Sequence, residues 1–367
     1  MEQPEHIELI ELVERFLKSE ITTDYLYTRL EDEVTSDSTL WEEMRKIGFF
    51  EFFQELSKED NPFSLLGNVQ RQTGEYLLPE SLVESLLTGP LFCSFLSDED
   101  HNTTLLDFLG EGSVEALRNG LKTVAIIPPS EQQLSVSKDG DTFFIDGIMN
   151  GVVRRSDCIG YLCCLEDSVY LFRESTDLSD LSPTKSLERM LPRGRYSVPK
   201  QKALPCKNVS GQEWKAIIRY LVAAELLGIG ERVLSMTRDF VSERRQFGVP
   251  VGCFQGVSHA LANTYLQVRE LEALIFFLGK MFDRGDRQRE SVALVTLSAA
   301  LERIPAVVEK CIQLHGGIGF TWEFPLHLFL RRACMYQSLY RLSHEEREEI
   351  CSAASIMEHS SQVTRCS

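Results

Sequence analysis

The stretch that decides the fold is Gln313-Leu314-His315-Gly316-Gly317-Ile318-Gly319-Phe320-Thr321-Trp322-Glu323-Phe324-Pro325. It follows a long helical pattern and contains three glycines and a proline within ten residues. This composition predicts an exposed loop inside a helical region. Glycine lets the backbone approach another group closely, while Gln313 and His315 offer polar contacts on either side. Taken alone, the loop is equally compatible with a plain turn between two helices, so a second signal is needed.

That second signal is Glu243-Arg244-Arg245-Gln246-Phe247-Gly248-Val249-Pro250-Val251-Gly252-Cys253-Phe254-Gln255, which ends one helical pattern and begins another. Together the two segments resemble the acyl-CoA dehydrogenase flavoprotein family. Its C-terminal domain carries an R-x-x-F-G-x-P-(V/I)-G-x-F-Q turn and a Q-x-(H/Y/F)-G-G-x-G-(F/Y) loop. The resemblance covers about residues 210–337 well and the remainder by pattern only.

Composition places the chain among globular proteins. Its 367 residues suit two or three modest domains or one multi-layered unit, and 43% of them are hydrophobic. The net charge of −17 argues against a nucleic-acid partner, because backbone binding relies on clustered Lys and Arg. It does not exclude an anionic CoA ester, which a few local cations can hold.

Cysteine usage and the N-terminus point to the cytoplasm. The ten cysteines show no CxxC pair and no metal-ligand spacing, so we expect reduced, buried thiols. The acidic start Met1-Glu2-Gln3-Pro4-Glu5 has the wrong sign for a targeting peptide, and no apolar run approaches the ~20 residues of a membrane span.

Periodicity divides the chain into three parts. Residues 1–120 are predicted helical, with Pro79 breaking the third helix, and 211–367 form a bundle of long helices. Residues 121–210 are predicted to be a compact antiparallel β-domain with a hairpin turn at Lys138-Asp139-Gly140-Asp141. The predicted strands are Thr123–Ile127, Thr142–Ile145, Cys158–Cys164 and Ser168–Phe172. The fold class is therefore α+β, in the three-part order of acyl-CoA dehydrogenases.

The resemblance implies FAD as cofactor. Arg244 corresponds to the arginine that meets the FAD pyrophosphate of a neighbouring subunit, although it would equally cap the end of its helix. Gln255 faces the same cofactor, and Phe247 is a packing residue near the adenine or flavin. The second dinucleotide contact corresponds to Gln313, Gly316 and Gly317.

Two further expectations concern the end of this loop and the assembly. His315 is expected to be a helix-end residue rather than an acid or base. Because each FAD of the family lies between two subunits, the resemblance also implies a homo- or hetero-oligomer, a dimer or tetramer.

The family desaturates an acyl-CoA thioester: a carboxylate removes the α-proton while the β-hydrogen leaves as hydride to the flavin. Here the two usual positions of that base are occupied by Tyr340 and Ile218. Tyrosine, with an ordinary pKa of ~10, is a poor base at neutral pH. Glu225 lies two turns beyond Ile218 and is the candidate substitute, although it could equally pair with an arginine inside the bundle.

The β-domain also departs from the family pattern. Where members usually carry T/S-E-P-x-x-G-S-D, this chain has residues 126–133 with Ser130 as the only nearby hydroxyl. The later stretch 145–158 does fit, and it resembles members that act on bulky, ring-bearing acyl chains.

Three functions follow from these observations. The first is a working FAD-dependent acyl-CoA dehydrogenase with a non-standard base, using an electron-transfer flavoprotein as acceptor. The second is a base-lacking subunit that completes a partner's FAD site in a heteromer. The third is a related protein that uses the flavin for oxygen chemistry or as a binding module.

Overall fold

The computed structural model describes residues 4–31, 37–50, 62–80, 107–110, 112–129, 133–153, 155–175, 177–182, 187–322 and 324–352. The described residues of the N-terminal part are largely helical, which agrees with the prediction for them. Asp37 caps α3 by accepting hydrogen bonds from the backbone N–H groups of Thr39 and Leu40, and α4 ends three residues before Pro79. The helices are α1 (Pro4–Glu20), α2 (Thr23–Glu31), α3 (Ser38–Lys46), α4 (Pro62–Tyr76) and α5 (Ser113–Arg118).

The middle part is a seven-stranded sheet in the order β1-β4-β5-β7-β3-β2, with β6 paired to β7. The β2–β3 hairpin turns at Gly140, whose φ of +59° only glycine adopts readily, so the predicted turn is confirmed. One pairing differs from the prediction: β1 runs parallel to β4. The strands are β1 (Thr123–Ile126), β2 (Gln133–Asp139), β3 (Thr142–Val152), β4 (Cys158–Leu165), β5 (Ser168–Arg173), β6 (Ser179–Ser182) and β7 (Gly194–Ser210).

The two faces of the sheet serve different cores. Along β4, Leu162 and Cys164 join the core shared with the helices, while Tyr161 and Cys163 belong to a second core on the opposite face. This alternation is what a strand with both faces covered requires, and it explains why β4 reads as a continuous apolar run. The sheet is thereby fixed against the helical part.

The C-terminal part is a bundle built around one central helix. Ser210 caps α6 by accepting from the N–H of Glu213, and α6 is buried along most of its length. Its partners α7 and α8 follow the order that the sequence predicts. The elements are α6 (Gly211–Glu243), the short strands β8 (Arg245–Gln246) and β9 (Val249–Pro250), α7 (Gln255–Asp283), α8 (Arg289–His315), a 3₁₀ turn (Gly316–Phe320), α9 (Leu326–Leu339) and α10, described over 344–352.

One helix of the described residues, Arg289–Phe320, is apolar and long enough to cross a membrane by composition alone. More than half of its most apolar window is buried inside the protein, and α8 packs against α6 and α7. A mostly buried helix of this kind is typical of a protein core.

Glycines let α4 lie directly on α6. A Cβ on Gly74 would come within 1.9 Å of the Glu225 carbonyl oxygen, and one on Gly228 within 1.8 Å of the Arg71 carbonyl oxygen. The backbones therefore approach more closely than any side chain would allow. This crossing joins the N-terminal helices to the bundle. The division at residues 120 and 210 stays a prediction.

Candidate functional site

The two motif segments meet at one end of the bundle. The ring of Phe240, near the end of α6, stacks on the ring of His315, the last residue of α8, with 4.3 Å between centroids. The turn that follows α6 and the glycine loop that follows α8 therefore leave the bundle side by side. Sequence reasoning placed both segments on one cofactor, and the structure brings them together.

The turn after α6 presents its polar and aromatic groups to solvent. The Arg244 N–H donates to the Phe240 carbonyl at 2.9 Å and ends the helix, while its side chain is exposed. Phe247 has a φ of +53°, which is uncommon for an aromatic residue, and its side chain is 94% exposed. Gln255, the first residue of α7, is also exposed. A large aromatic ring held in water by a strained turn indicates a surface that another molecule covers.

The glycine loop leaves open space above its backbone. A Cβ on Gly316 or Gly317 would meet nothing within 4 Å, whereas one on Gly319 would lie 2.7 Å from the Ile312 carbonyl oxygen. Gly319 is thus required for packing, and the first two glycines leave room for a group outside the chain. Gln313 is exposed beside them and accepts a hydrogen bond from Lys310 Nζ at 2.9 Å.

His315 supports this loop from below. Its ring is buried between Phe240 and Phe324, and Nδ1 lies 2.8 Å from the Cys311 carbonyl oxygen. Burial lowers the pKa of the imidazole below its ordinary value of 6.5, so the neutral ring donates its Nδ1–H to that carbonyl. These contacts favour the helix-end role over acid–base chemistry.

A cleft of about 780 Å³ lies at the other end of α6. Ile218 and Tyr340, the two usual positions of the family's base, line it together. The rest of the wall comes from the segment after β1, the end of β4 and its turn, the start of α6, the middle of α8 and the chain after α9. These residues are Pro129, Cys164, Leu165, Glu166, Gln212, Lys215, Arg219, Leu297, Arg341, Leu342, Ser343, Glu345, Glu346 and Glu349. Ser130, predicted to face the cofactor here, lies outside the described residues.

The loops and the cleft are far apart within one chain. Ile218 and Arg244 are separated by 26 residues along a continuous helix, which is about 39 Å at 1.5 Å per residue. That distance exceeds the ~30 Å diameter of a small domain. One small ligand therefore cannot contact the exposed loops and the cleft of the same chain.

Glu225 lies in a buried network instead of the cleft. Its Oε1 accepts from Arg332 Nη1 at 3.0 Å, and its Oε2 accepts from Gln70 Nε2 at 2.6 Å and from the Tyr336 hydroxyl at 2.7 Å. Burial and the Glu225 carboxylate hold the pKa of Tyr336 well above its ordinary value, so the phenol stays a proton donor. These contacts favour the alternative in which Glu225 pairs with an arginine inside the bundle. The catalytic role of Glu225 stays a prediction.

Sequence reasoning missed the partners of Glu225. Arg332 is fully buried and also contacts Glu188 at 3.3 Å and the Leu78 carbonyl at 3.1 Å. The available signal was the four-residue spacing of Arg332 and Tyr336, which places an arginine and a tyrosine on one face of α9. Gln70 and Glu188 carry no comparable pattern.

A second buried cluster attaches the sheet to the N-terminal helices. Arg155 contacts Glu80 and Asp157 and lies over the Trp41 ring, 4.2 Å from its centroid. The stretch 145–158, whose resemblance suggested bulky acyl groups, thus includes a residue that joins two parts of the fold.

Comparison with known proteins agrees with this architecture. Residues 216–339 match the acyl-CoA dehydrogenase C-terminal domain. About a third of the chain, at its C-terminal side, is thus similar to the acyl-CoA dehydrogenase family. It is 35% identical over 113 residues to acyl-CoA dehydrogenase IpdE2 of Mycobacterium tuberculosis, covering 31% of this chain and 34% of that protein. It is 31% identical over 143 residues to the mitochondrial isovaleryl-CoA dehydrogenase of Oryza sativa subsp. japonica, covering 36% and 35%.

The aligned segment thus spans about a third of the length of these relatives. Structural similarity extends further. One chain of the ChsE4-ChsE5 complex from Mycobacterium tuberculosis superposes on this chain with a TM-score of 0.81 at 17% identity. The match covers 97% of this chain and 98% of that chain. Butyryl-CoA dehydrogenase from Megasphaera elsdenii gives 0.75 at 16% identity, over 96% and 99%. The predicted α+β fold is confirmed.

Proposed function

We propose that this protein is a subunit of an FAD-dependent acyl-CoA dehydrogenase that desaturates an acyl-CoA thioester between its α and β carbons. The observation that carries the proposal is the distance of about 39 Å between the exposed cofactor-type loops and the cleft. Such a chain completes a neighbour's cofactor site with one end and receives a ligand at the other. An oligomer, homomeric or heteromeric, is therefore part of the proposal.

The exposed loops fit the pyrophosphate-bearing part of a dinucleotide. Arg244 offers a planar guanidinium with several donors, and the open backbone at Gly316 and Gly317 lets N–H groups approach an anion. Gln255 and Gln313 add neutral donors on either side, and Phe247 would cover an aromatic ring. When bound, FAD supplies the acceptor for the substrate's β-hydride.

The described residues do not identify the base that would remove the α-proton. At the two usual positions the cleft offers an isoleucine and a tyrosine. Among the cleft's described carboxylates, Glu346 is paired with Arg219, and the others lie on the exposed rim at Glu166, Glu345 and Glu349. Glu225 stands two turns, or ~10 Å, further along α6.

A second candidate function follows from that cleft. The chain would be the base-lacking subunit of a heteromer, with its loops completing a partner's FAD site. The specific observation is that Tyr340 and Ile218 line one cleft while Glu225 is held by Arg332, Gln70 and Tyr336. In either case acyl-CoA is the substrate class, an electron-transfer flavoprotein the expected acceptor, and the cytoplasm the expected compartment.

The test is to purify the chain alone and together with a co-expressed homologue that keeps the base glutamate. Flavin per protein is measured first, then anaerobic bleaching of the flavin by straight-chain and ring-bearing acyl-CoA esters. Full flavin occupancy and bleaching by the lone chain support the first function and eliminate the second. Flavin retained only in the mixed assembly supports the second.

Variants then identify the base. If Glu225 takes the α-proton, Glu225→Gln abolishes bleaching; bleaching that survives removes it from the mechanism. Tyr340→Glu returns a carboxylate to the cleft and is expected to create or increase bleaching, with Tyr340→Phe as the matched control. No flavin in any assembly would contradict both functions.

A further inference from the structure

The wall of the cleft that follows Tyr340 contains no buried residue over its described part. Residues 341–352, here called the flap, consist of three non-helical residues and the described part of α10, and none of them is buried. Leu339 and Tyr340, which precede the flap, are both more than 90% buried. The anchored chain thus becomes an exposed segment between Tyr340 and Arg341. Few buried contacts mean a low free energy of local opening.

One ion pair crosses from the flap to the body of the protein beside the cleft. Arg219 Nη2 on α6 donates to Glu346 Oε1 at 2.5 Å, and the side chains are 11% and 29% exposed. A long hydrogen bond of 3.4 Å from Ser291 Oγ to Glu349 also joins the described flap to α8. Of these two contacts, the Arg219–Glu346 pair is the shorter, and it joins two charged groups.

Glu346 also shapes the flap itself. Its Oε2 accepts from the Ser343 N–H at 2.7 Å, while its own N–H donates to Ser343 Oγ at 3.2 Å. This reciprocal pattern is a capping box, which fixes where α10 begins. One carboxylate thus starts the flap helix with one oxygen and holds that helix to α6 with the other.

We propose that the flap is a gate on the cleft and that the Arg219–Glu346 pair is its latch. Breaking the pair lets the flap swing about residues 341–343, because the capping box keeps α10 intact while its attachment to α6 is lost. Seven of the cleft-lining residues lie on the flap or directly before it, from Tyr340 to Glu349, so the movement widens the cleft directly. This inference does not rest on the proposed function, since it concerns access and not chemistry.

Cys164 provides the reporter. It lines the cleft and is buried, whereas Cys206 is buried elsewhere and Cys253 is exposed. The rate of alkylation of each cysteine by iodoacetamide is followed by peptide mass spectrometry on the full-length protein. The alkylation rate of Cys206 reports any general loosening of the fold, and the rate of Cys253 corrects for differences in reagent activity.

Glu346→Gln is the principal variant, because glutamine keeps the capping box and removes only the charge. We expect alkylation of Cys164 to rise about fivefold in Glu346→Gln and in Arg219→Gln, and no further in the double variant. Glu345→Gln, with the same change of charge on the neighbouring exposed residue, should leave the rate unchanged. In the wild type, raising the salt from about 0.05 M to about 0.5 M should increase the rate, and the latch variants should lose that dependence.

Three results would overturn the gate. These are an unchanged Cys164 rate in both latch variants with no salt dependence in the wild type, an equal rise in Glu345→Gln, and a parallel rise at Cys206. The wild-type salt series needs no variant to fold, so it tests the latch even where a substitution at Arg219 destabilises the protein.

Discussion

Replacing Arg332 with methionine should cost this protein a large part of its stability. The guanidinium is fully buried, 3.0 Å from Glu225 and 3.3 Å from Glu188. Methionine fills a similar volume but leaves both carboxylates inside the protein without their cation. Removing one partner from a buried ion pair costs about 3–5 kcal/mol, because the remaining charge stays desolvated.

Thermal unfolding followed by far-UV circular dichroism measures this loss. An unfolding entropy of ~2.1 cal/mol/K per residue, taken over 367 residues, makes about 0.77 kcal/mol/K, so the midpoint should fall by about 4–6 °C. Arg331→Met is the matched control, since Arg331 is the adjacent residue, half-buried and without an ion pair among the described residues. Equal midpoints for the two variants would refute the idea that the Glu225 network stabilises the fold.

Three further predictions use the same contacts. Gly228→Ala should lower the free energy of unfolding by ~1–3 kcal/mol, because its Cβ would overlap a backbone oxygen. Gly317→Ala, whose Cβ would meet open space, should shift the chemical denaturation curve little. Burial lowers the pKa of His315, so the wild type should lose stability as pH falls through and below 6.5, by at most ~1.4 kcal/mol per pH unit; melting curves of His315→Phe should lack this part of the slope. Phe247→Ser should reduce the assembly mass measured by light scattering after gel filtration, while Leu187→Ser, an exposed residue outside the bundle, should not; equal masses would contradict an interface at Phe247.

The helical bundle was predictable because its signals are local. Apolar residues at helical intervals mark α6, α7 and α8, and Pro250 and the three loop glycines mark where helices stop. β7 is the counterexample. It runs for 17 residues through Pro199 and Pro205, and it is not among the strands predicted from the sequence. Its length follows from pairing with β3 over one half and β5 over the other.

The candidate site was predictable only where a motif is contiguous. The exposed turn at Arg244 and the loop at Gly316 are short patterns, and the structure places both at the same end of the bundle. The cleft joins Ile218 to Tyr340, and the network of Glu225 joins Gln70 to Arg332, across more than a hundred residues each. Such contacts depend on how helices cross, which periodicity does not encode.

Because the two ends of α6 are far apart, residues at one end can be substituted without altering the structure of the other end. The loop end is stabilised by Phe240, His315 and Gly319, whereas the cleft end is shaped by Tyr340 and by the Arg219–Glu346 pair. Because these contacts share no residue across about 39 Å, loss of a carboxylate in the cleft leaves the geometry of the loops intact. A subunit can therefore keep what its neighbour's cofactor needs after its own cleft has ceased to support proton removal. Under the proposed function, the Gly316–Gly317 loop serves a partner's cofactor site, and Tyr340 and its surroundings decide catalysis by this chain.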